Sequence, residues 1–298
     1  KIQEVEWMNI VKLRAYGKVN LALDVTGKRE DGYHEVRMIM QTVNLYDQII
    51  MKKINDPGIH LKTNLYYLPI NEKNIVYKAV KLIKDEFNIE QGLDIAIDKR
   101  IPVAAGMAGG SSDAAAALVG MNKLFSLGLS KKELMKRSLK LGADVPYCIM
   151  RGTALAEGIG EILTPLPPVS QCYVLIAKPG ISVSTKFVYG NLNISELKEH
   201  PDIDGMVHDI NNDNLYGIGN KLSNVLETVT IKKYPMIHKI KNEMVKYGAI
   251  GAIMSGSGPT VFGLFDHKKK AKDALYHIRG LNIAKQVYLT DFFNQKRG

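Results

Sequence analysis

The stretch Pro102-Val103-Ala104-Ala105-Gly106-Met107-Ala108-Gly109-Gly110-Ser111-Ser112-Asp113, continuing through Ala114 to Ala117, constrains this chain more than any other: a glycine-rich loop runs straight into an alanine-rich helix. Gly106, Gly109 and Gly110 lack the side chains that would stop backbone N–H groups closing around an anion, and they permit positive φ. Ser111, Ser112 and Asp113 are helix-starting residue types, and the run Ala114 to Leu118 has high helix propensity. A helix whose first-turn amides point into such a loop attracts phosphate, and its macrodipole adds to the attraction. An ordinary loop with a serine cap is the alternative reading of the same glycine spacing. The stretch is not a P-loop, because two serines rather than a lysine and a hydroxyl residue follow Gly110; nor is it G-x-G-x-x-G, because residue 104 is Ala104. A phosphate site here must draw its lysine from elsewhere.

At 298 residues the chain is long enough for two domains, and a 46% hydrophobic fraction supports packed cores. The only tryptophan is Trp7. No apolar run approaches the roughly 20 residues of a membrane helix, and Lys1 to Asn9 has no signal-peptide pattern, so a cytoplasmic protein with no membrane partner is expected. Two cysteines, Cys148 and Cys172, sit in apolar surroundings and read as buried thiols rather than a disulfide framework or zinc pattern. The net charge of +10 fits anionic partners. Its lysines are spread along helices such as Lys131 to Lys140, without an Arg-rich block or recognition motif, so nucleic acid is not expected. The charge reads as steering for small anionic substrates, over a surface of solvated lysines.

Strands are expected at Ile10–Tyr16, Val19–Val25, Val36–Leu45, Ile49–Ile54 and Leu93–Ile97. Helical spacing of Ile75, Val76, Ala79, Val80, Ile83 and Phe87 places a helix over Asn74–Phe87. Further helices are expected over Ser111–Phe125 and Lys131–Leu141, the second opened by Ser130 with Glu133 three residues on. Short strands at Thr153–Ala156 and Glu161–Leu163 flank a turn at Gly158-Ile159-Gly160. Thr164-Pro165-Leu166-Pro167-Pro168 is the linker candidate, because its prolines stop both helix and sheet; it divides the chain into domains 1–166 and 167–298. Beyond it, strands at Cys172–Ala177, Ile250–Met254, Val261–Phe265 and Gln286–Leu289 alternate with helices at Ser184–Asn191, Lys221–Val229, Tyr234–Tyr247 and Lys268–Arg279. Strands separated by helices around a central hairpin predict a ferredoxin-like α+β second domain.

Three smaller segments carry chemistry. Met254-Ser255-Gly256-Ser257-Gly258-Pro259-Thr260 is a second glycine-rich turn, which reads either as a tight hairpin or as a side-chain-poor segment packing against the first loop or closing over a nucleotide. Lys18 and Asn20 lie two apart in a strand and share one face; on a ribbon flanked by apolar residues they need polar partners, although a lone strand lysine is more often solvated. Asp144, between apolar residues just after a helix, is either a cap or a half-buried base for a substrate hydroxyl.

PVAAGMAGGSSDAAAA, MSGSGPTVFGLF and AYGKVNLAL stand in the order and spacing of the GHMP kinase superfamily, which this chain resembles from about Asn9 to Leu289. Within it, GKREDGYHEV and GADVPYC resemble the branch acting on a cytidine diphosphate sugar alcohol. The resemblance implies an α+β enzyme of two domains, an N-terminal ribosomal-protein-S5-like α/β domain and a C-terminal ferredoxin-like domain, with the active site in the cleft between them. It implies MgATP-dependent phosphorylation of the 2-hydroxyl of 4-diphosphocytidyl-2-C-methyl-D-erythritol, in the non-mevalonate route to isoprenoids, by a monomer or homodimer. On the matching positions, Asp144 is the expected base, Lys18 the catalytic lysine and Asn20 the substrate-positioning asparagine. Tyr33 and His34 fall at the cytidine end, and Tyr189 where an aromatic sandwiches the base. Pro102 to Ser112, Lys99, Asn74 and Ile75 fall on the ATP side. Gly256, Ser257 and Gly258 form the second glycine-rich loop. No glutamate stands where it would mark a magnesium ligand; Ser112 is the nearest candidate, with phosphates and water holding the rest of the metal. Homoserine-, mevalonate- or galactose-type kinases, an idle nucleotide sensor and a nucleic-acid-binding protein are the rival readings, and the Tyr33–His34 pair, Tyr189, Lys18 and Asp144 weigh against them.

Overall fold

Two long strands organise the chain: β1 spans Ile10–Lys28 and β2 spans His34–Ile54 in this computed structural model, which describes residues 9–294. Trp7 and the segment before Met8 lie outside the described residues. Each strand was expected as two. Gly17 does not interrupt β1, and Asp47 does not break β2, because its carboxylate accepts the backbone amides of Arg100 and Ile101 instead of starting a turn. The chain divides into two compact units, unit 1 comprising 1–17, 45–101 and 108–150, and unit 2 comprising 18–44, 102–107 and 151–298.

In unit 1, the end of β2 pairs antiparallel with β4 (Gly92–Asp98), from Gln48↔Asp98 to Ile54↔Gly92. The strand β3 (Ile59–Thr63), not anticipated from the sequence, adds in parallel to β4. Among the described residues four helices belong to this unit: Ile75–Glu86, Gly109–Leu124, Lys131–Ser138 and Asp144–Met150. Asn74 caps the first by accepting from the Val76 amide, and Ser130 with Glu133 forms a capping box on the third. Helix Gly109–Leu124 is buried nearly all round, and its run Ala114–Ala117 keeps it thin enough for close packing. Gly120 allows the nearest approach: a Cβ there would lie 2.3 Å from Met51 Sδ and 3.0 Å from Leu13 Cδ1. Ile49, Met51, Leu93 and Ile95 face this helix set as fully buried core.

In unit 2, β2 pairs with β5 (Thr153–Glu157), β5 with β6 (Ile162–Leu166), and β1 in parallel with the two-residue β8 (Ser223–Asn224). The expected linker begins inside β6: Thr164, Pro165 and Leu166 pair with β5. Proline is tolerated there because β6 pairs on one side only, and an edge strand does not need every N–H. A second sheet has the order β11-β7-β10-β9, with β7 at Tyr173–Lys178, β9 at Gly251–Met254, β10 at Val261–Phe265 and β11 at Gln286–Asp291. All its pairings are antiparallel, and helices Met236–Lys246 and Lys268–Gly280 pack on it. This is the ferredoxin-like arrangement expected from the strand–helix alternation and the β9–β10 hairpin. The helix expected over Lys221–Val229 is instead two, Leu215–Asn220 and Glu227–Lys233. Asn224 separates them, donating to the Met254 and Gly256 carbonyls and accepting from the Leu226 amide.

Candidate functional site

The first glycine loop enters its helix at Gly109, two residues earlier than the serines suggest. Ala108 is the N-cap, in the left-handed region at φ 54° and ψ 30°, and no side chain caps the helix. First-turn amides without a side-chain cap are the donors an anion would use. Positive φ is carried by Ala104, Gly106 and Ala108 rather than by Gly109 or Gly110. Non-glycine residues in that region are strained, and such strain concentrates at ligand-binding loops.

The expected roles of the serines and the aspartate as helix starters are not what the structure uses. Ser112 is 2% exposed and its Oγ donates to the Tyr16 carbonyl at 2.6 Å, which fixes the direction of its proton. Asp113 pairs with Lys99 at 2.6 Å. Lys99, expected on the ATP side, is buried, with its ammonium held by both Asp47 and Asp113. Burial pushes the Lys99 pKa down, but Asp113 and Asp47 more than offset it, and the net direction is upward. Lys99 nonetheless lies directly under the loop: a Cβ on Gly109 would be 3.3 Å from its Nζ. Asn74 and Ile75 fall beside the same turn, since a Cβ on Gly110 would meet Ile75 Cγ2 at 3.7 Å. Asp144, half-buried, is the first residue of helix Asp144–Met150.

In unit 2, Lys18 and Asn20 are 5% and 0% exposed on β1, and the partners their burial demands are present. Lys18 Nζ donates to Asn20 Oδ1 at 2.8 Å, and Asn20 Nδ2 to Met38 Sδ at 3.1 Å. The Lys18 amide also donates to the Met107 carbonyl at 3.1 Å, tying β1 to the glycine loop. The second glycine-rich turn packs against the loop segment Pro102–Met107. Ser255 Oγ donates to the Gly106 carbonyl at 2.8 Å, and a Cβ on Gly256 would lie 3.2 Å from that oxygen and 3.5 Å from Asn20 Oδ1. Ser257 exchanges a hydrogen bond with Thr185 at 2.9 Å, at the start of helix Thr185–Gly190, which carries Tyr189.

His34 opens β2 and its ring meets that of Tyr189 at 5.1 Å between centroids and 44° between planes. Two residues 155 positions apart, expected at one end of a cytidine site, are thus in ring contact. Burial first and the Lys28 charge second hold the His34 pKa below its usual value. Tyr33 is 59% exposed at the turn between β1 and β2, where its amide donates to Asp31 Oδ1 at 3.0 Å and its carbonyl accepts from Arg29.

Among the described residues no group of three or more His, Cys, Asp or Glu side chains could hold a metal ion. Among the described residues there is therefore no all-protein cage for Mg²⁺, which leaves phosphates and water as the ligands such an ion would take. Asp47 and Asn224 carry no sequence signal of their roles, and Asp113 reads only as a helix starter. Lys99 stands between Asp98 and Arg100 in the sequence, so nothing local points to the buried carboxylates that hold it.

The chain matches the family description "GHMP kinases N terminal domain" over residues 74–152 and "GHMP kinases C terminal" over 206–281. It is 59% identical to a curated relative from Lachnoclostridium phytofermentans over 97% of this chain and 99% of that protein. The chain belongs to the GHMP kinase family. That relative, and one from Lachnospira eligens at 53% identity over 96% of this chain and 99% of that protein, are each named 4-diphosphocytidyl-2-C-methyl-D-erythritol kinase. A crystal structure of 4-(cytidine 5'-diphospho)-2C-methyl-D-erythritol kinase superposes with a TM-score of 0.82 at 28% identity, over 96% of this chain and 100% of that one. A homoserine kinase from Cytophaga hutchinsonii, at 21% identity over 96% of both chains, shares the fold with a TM-score of 0.78. The α+β GHMP kinase fold expected from the motifs is the fold found. No described helix is long and apolar enough to cross a membrane.

Proposed function

We propose that this chain transfers the γ-phosphoryl group of ATP to the 2-hydroxyl of 4-diphosphocytidyl-2-C-methyl-D-erythritol, giving the 2-phosphate and ADP, as a step of the non-mevalonate route to isoprenoid precursors. The observation that carries this reading is the 59% identity, over nearly the full length of both chains, to a curated kinase of that name. The His34–Tyr189 ring contact supports it independently, because a flat base needs aromatic faces and a hydrogen-bonding edge, whereas a simple alcohol substrate needs neither. A His34 held neutral offers both a donor and an acceptor nitrogen to such an edge.

In this reading the helix amides after Ala108 and the flanking loop hold the triphosphate, with Asn74 and Ile75 beside the adenine. Asp144 takes the proton of the tertiary hydroxyl, the oxygen forms its bond to the γ-phosphorus, and the bond to the β,γ-bridging oxygen breaks to release ADP. Phosphoryl transfer of this kind depends on positioning and charge neutralisation more than on covalent chemistry. Lys18 supplies the positive charge beside the attacking oxygen, oriented by its hydrogen bond to Asn20. The test is ADP release measured with the cytidylylated methylerythritol, with homoserine, with mevalonate and with no acceptor. Release dependent on the first alone is expected. Equal release with either simple alcohol, or none with any acceptor, would overturn the assignment.

A further inference from the structure

The strand leading into the glycine loop and the helix leading out of it are joined by a buried ionic cluster for which the transfer chemistry has no direct use. Asp47 is fully buried on β2, and one of its oxygens accepts the Arg100 and Ile101 amides, the second at 2.8 Å. Its other oxygen takes the Lys99 ammonium. That ammonium reaches on to Asp113 at 2.6 Å, in the second turn of helix Gly109–Leu124. The outer oxygen of Asp113 is buried and has no hydrogen-bond partner.

We propose that Asp47, Lys99 and Asp113 act together as a positioning clamp on the phosphate-binding turn, fixing the chain before the loop to the helix after it, so that the first-turn amides stay aimed at a triphosphate. The clamp rests on the reading of this loop as the ATP site. Two features favour positioning over plain stabilisation. Replacing a buried ionic cluster by apolar residues of similar size is often neutral or stabilising, so fold stability alone is a weak reason for one ammonium and two carboxylates here. Its location is also specific: the ammonium sits 3.3 Å from where a Gly109 Cβ would be, beneath the first residue of the helix. Burial above all, with Asp47 adding, raises the Asp113 pKa well above the usual carboxylate range despite Lys99.

The test compares Asp113→Ala, which cuts the tether, with Asp113→Asn, which keeps an oxygen for Lys99. ATP and the cytidine acceptor are titrated separately by calorimetry, alongside thermal unfolding. Asp113→Ala is expected to weaken ATP binding about ten-fold or more, the scale of a lost charge-assisted hydrogen bond, with acceptor affinity within about two-fold; Asp113→Asn is expected to recover most of the loss. Should Asp113→Ala not fold, Asp113→Ser, too short to span the contact, is read by the same criteria. Unchanged ATP affinity in the cut variant, or equal impairment in Asp113→Asn, would overturn the clamp while leaving the kinase reading intact. No ATP binding by the unaltered chain would remove the nucleotide reading, and the clamp with it.

Discussion

Replacing Gly106 with alanine tests the contact between the two glycine-rich segments at a single methyl group. The new Cβ would lie 2.0 Å from the Ser255 carbonyl oxygen, 3.0 Å from its carbon and 3.2 Å from the Gly258 nitrogen. A carbon and a carbonyl oxygen approach no closer than about 3.3 Å, so one backbone must retreat by roughly 1.3 Å. All three neighbours are backbone atoms, and no side-chain rotation relieves them. Gly106 also holds φ at 70°, a conformation costing an L residue about 1–2 kcal/mol. With about 1–3 kcal/mol for overpacking, the expected loss is roughly 2–5 kcal/mol. At roughly 2–4 °C per kcal/mol, that lowers the unfolding midpoint by about 4–20 °C. If the turn yields instead of the fold, the Ser255–Gly106 hydrogen bond at 2.8 Å breaks and the turn moves off Asn20, so kcat/KM falls while the midpoint holds. Gly110→Ala is the control for the melt alone, because its Cβ would meet only Ile75 Cγ2, at 3.7 Å, without a positive φ. Both variants are read by circular dichroism melts, and Gly106→Ala also by ADP release. A Gly106→Ala protein matching the unaltered chain within 1–2 °C and in kcat/KM would refute the packing argument.

Asp144→Asn is expected to lower kcat by about 10²-fold or more, the scale of a lost general base, with ATP affinity little changed; near-normal single-turnover rates would remove Asp144 from the proton transfer. For His34, the folded pKa lies below the unfolded value of about 6.5, so the unfolded chain takes up the proton first as pH falls. Its contribution to stability is therefore whole above about pH 6.5 and is lost as pH drops below that value, and His34→Gln should flatten this part of a urea-midpoint profile; an unaltered slope would contradict the burial argument. Burial, with Asp291 adding, pushes the Cys172 thiol up to about 12, so iodoacetamide at about pH 8 should leave it unmodified until denaturant is added. Mass spectrometry of the native protein decides this, and rapid native labelling would be the contrary result.

The parts of this structure legible in the sequence are those whose cause is local. Val174, Ile176, Ile253 and Phe262 announce strands by side-chain type, and the glycine-rich turn fits the β9–β10 hairpin that joins the last two. Asn74 and Ser130 cap helices by contacts two or three residues away. The loop itself was legible because glycine spacing constrains backbone approach directly, and Lys18 with Asn20 because alternation puts them on one face.

What was not legible depends on partners distant in sequence. Asp47 looks like a strand breaker because aspartate favours turns, yet amides 53 and 54 residues away hold it inside β2. Ser112 and Asp113 look like caps for the same reason, but a carbonyl 96 residues earlier and an ammonium 14 residues earlier claim their oxygens. In each case a polar side chain had two ways to satisfy itself, one local and one remote. The remote one wins where the surrounding apolar residues have already removed water, because an unpaired buried group there costs more than a lost local turn gains. Polar residues set inside apolar runs are therefore the positions where local rules are weakest, as Lys18 and Asn20 show on β1 and Asp47 on β2.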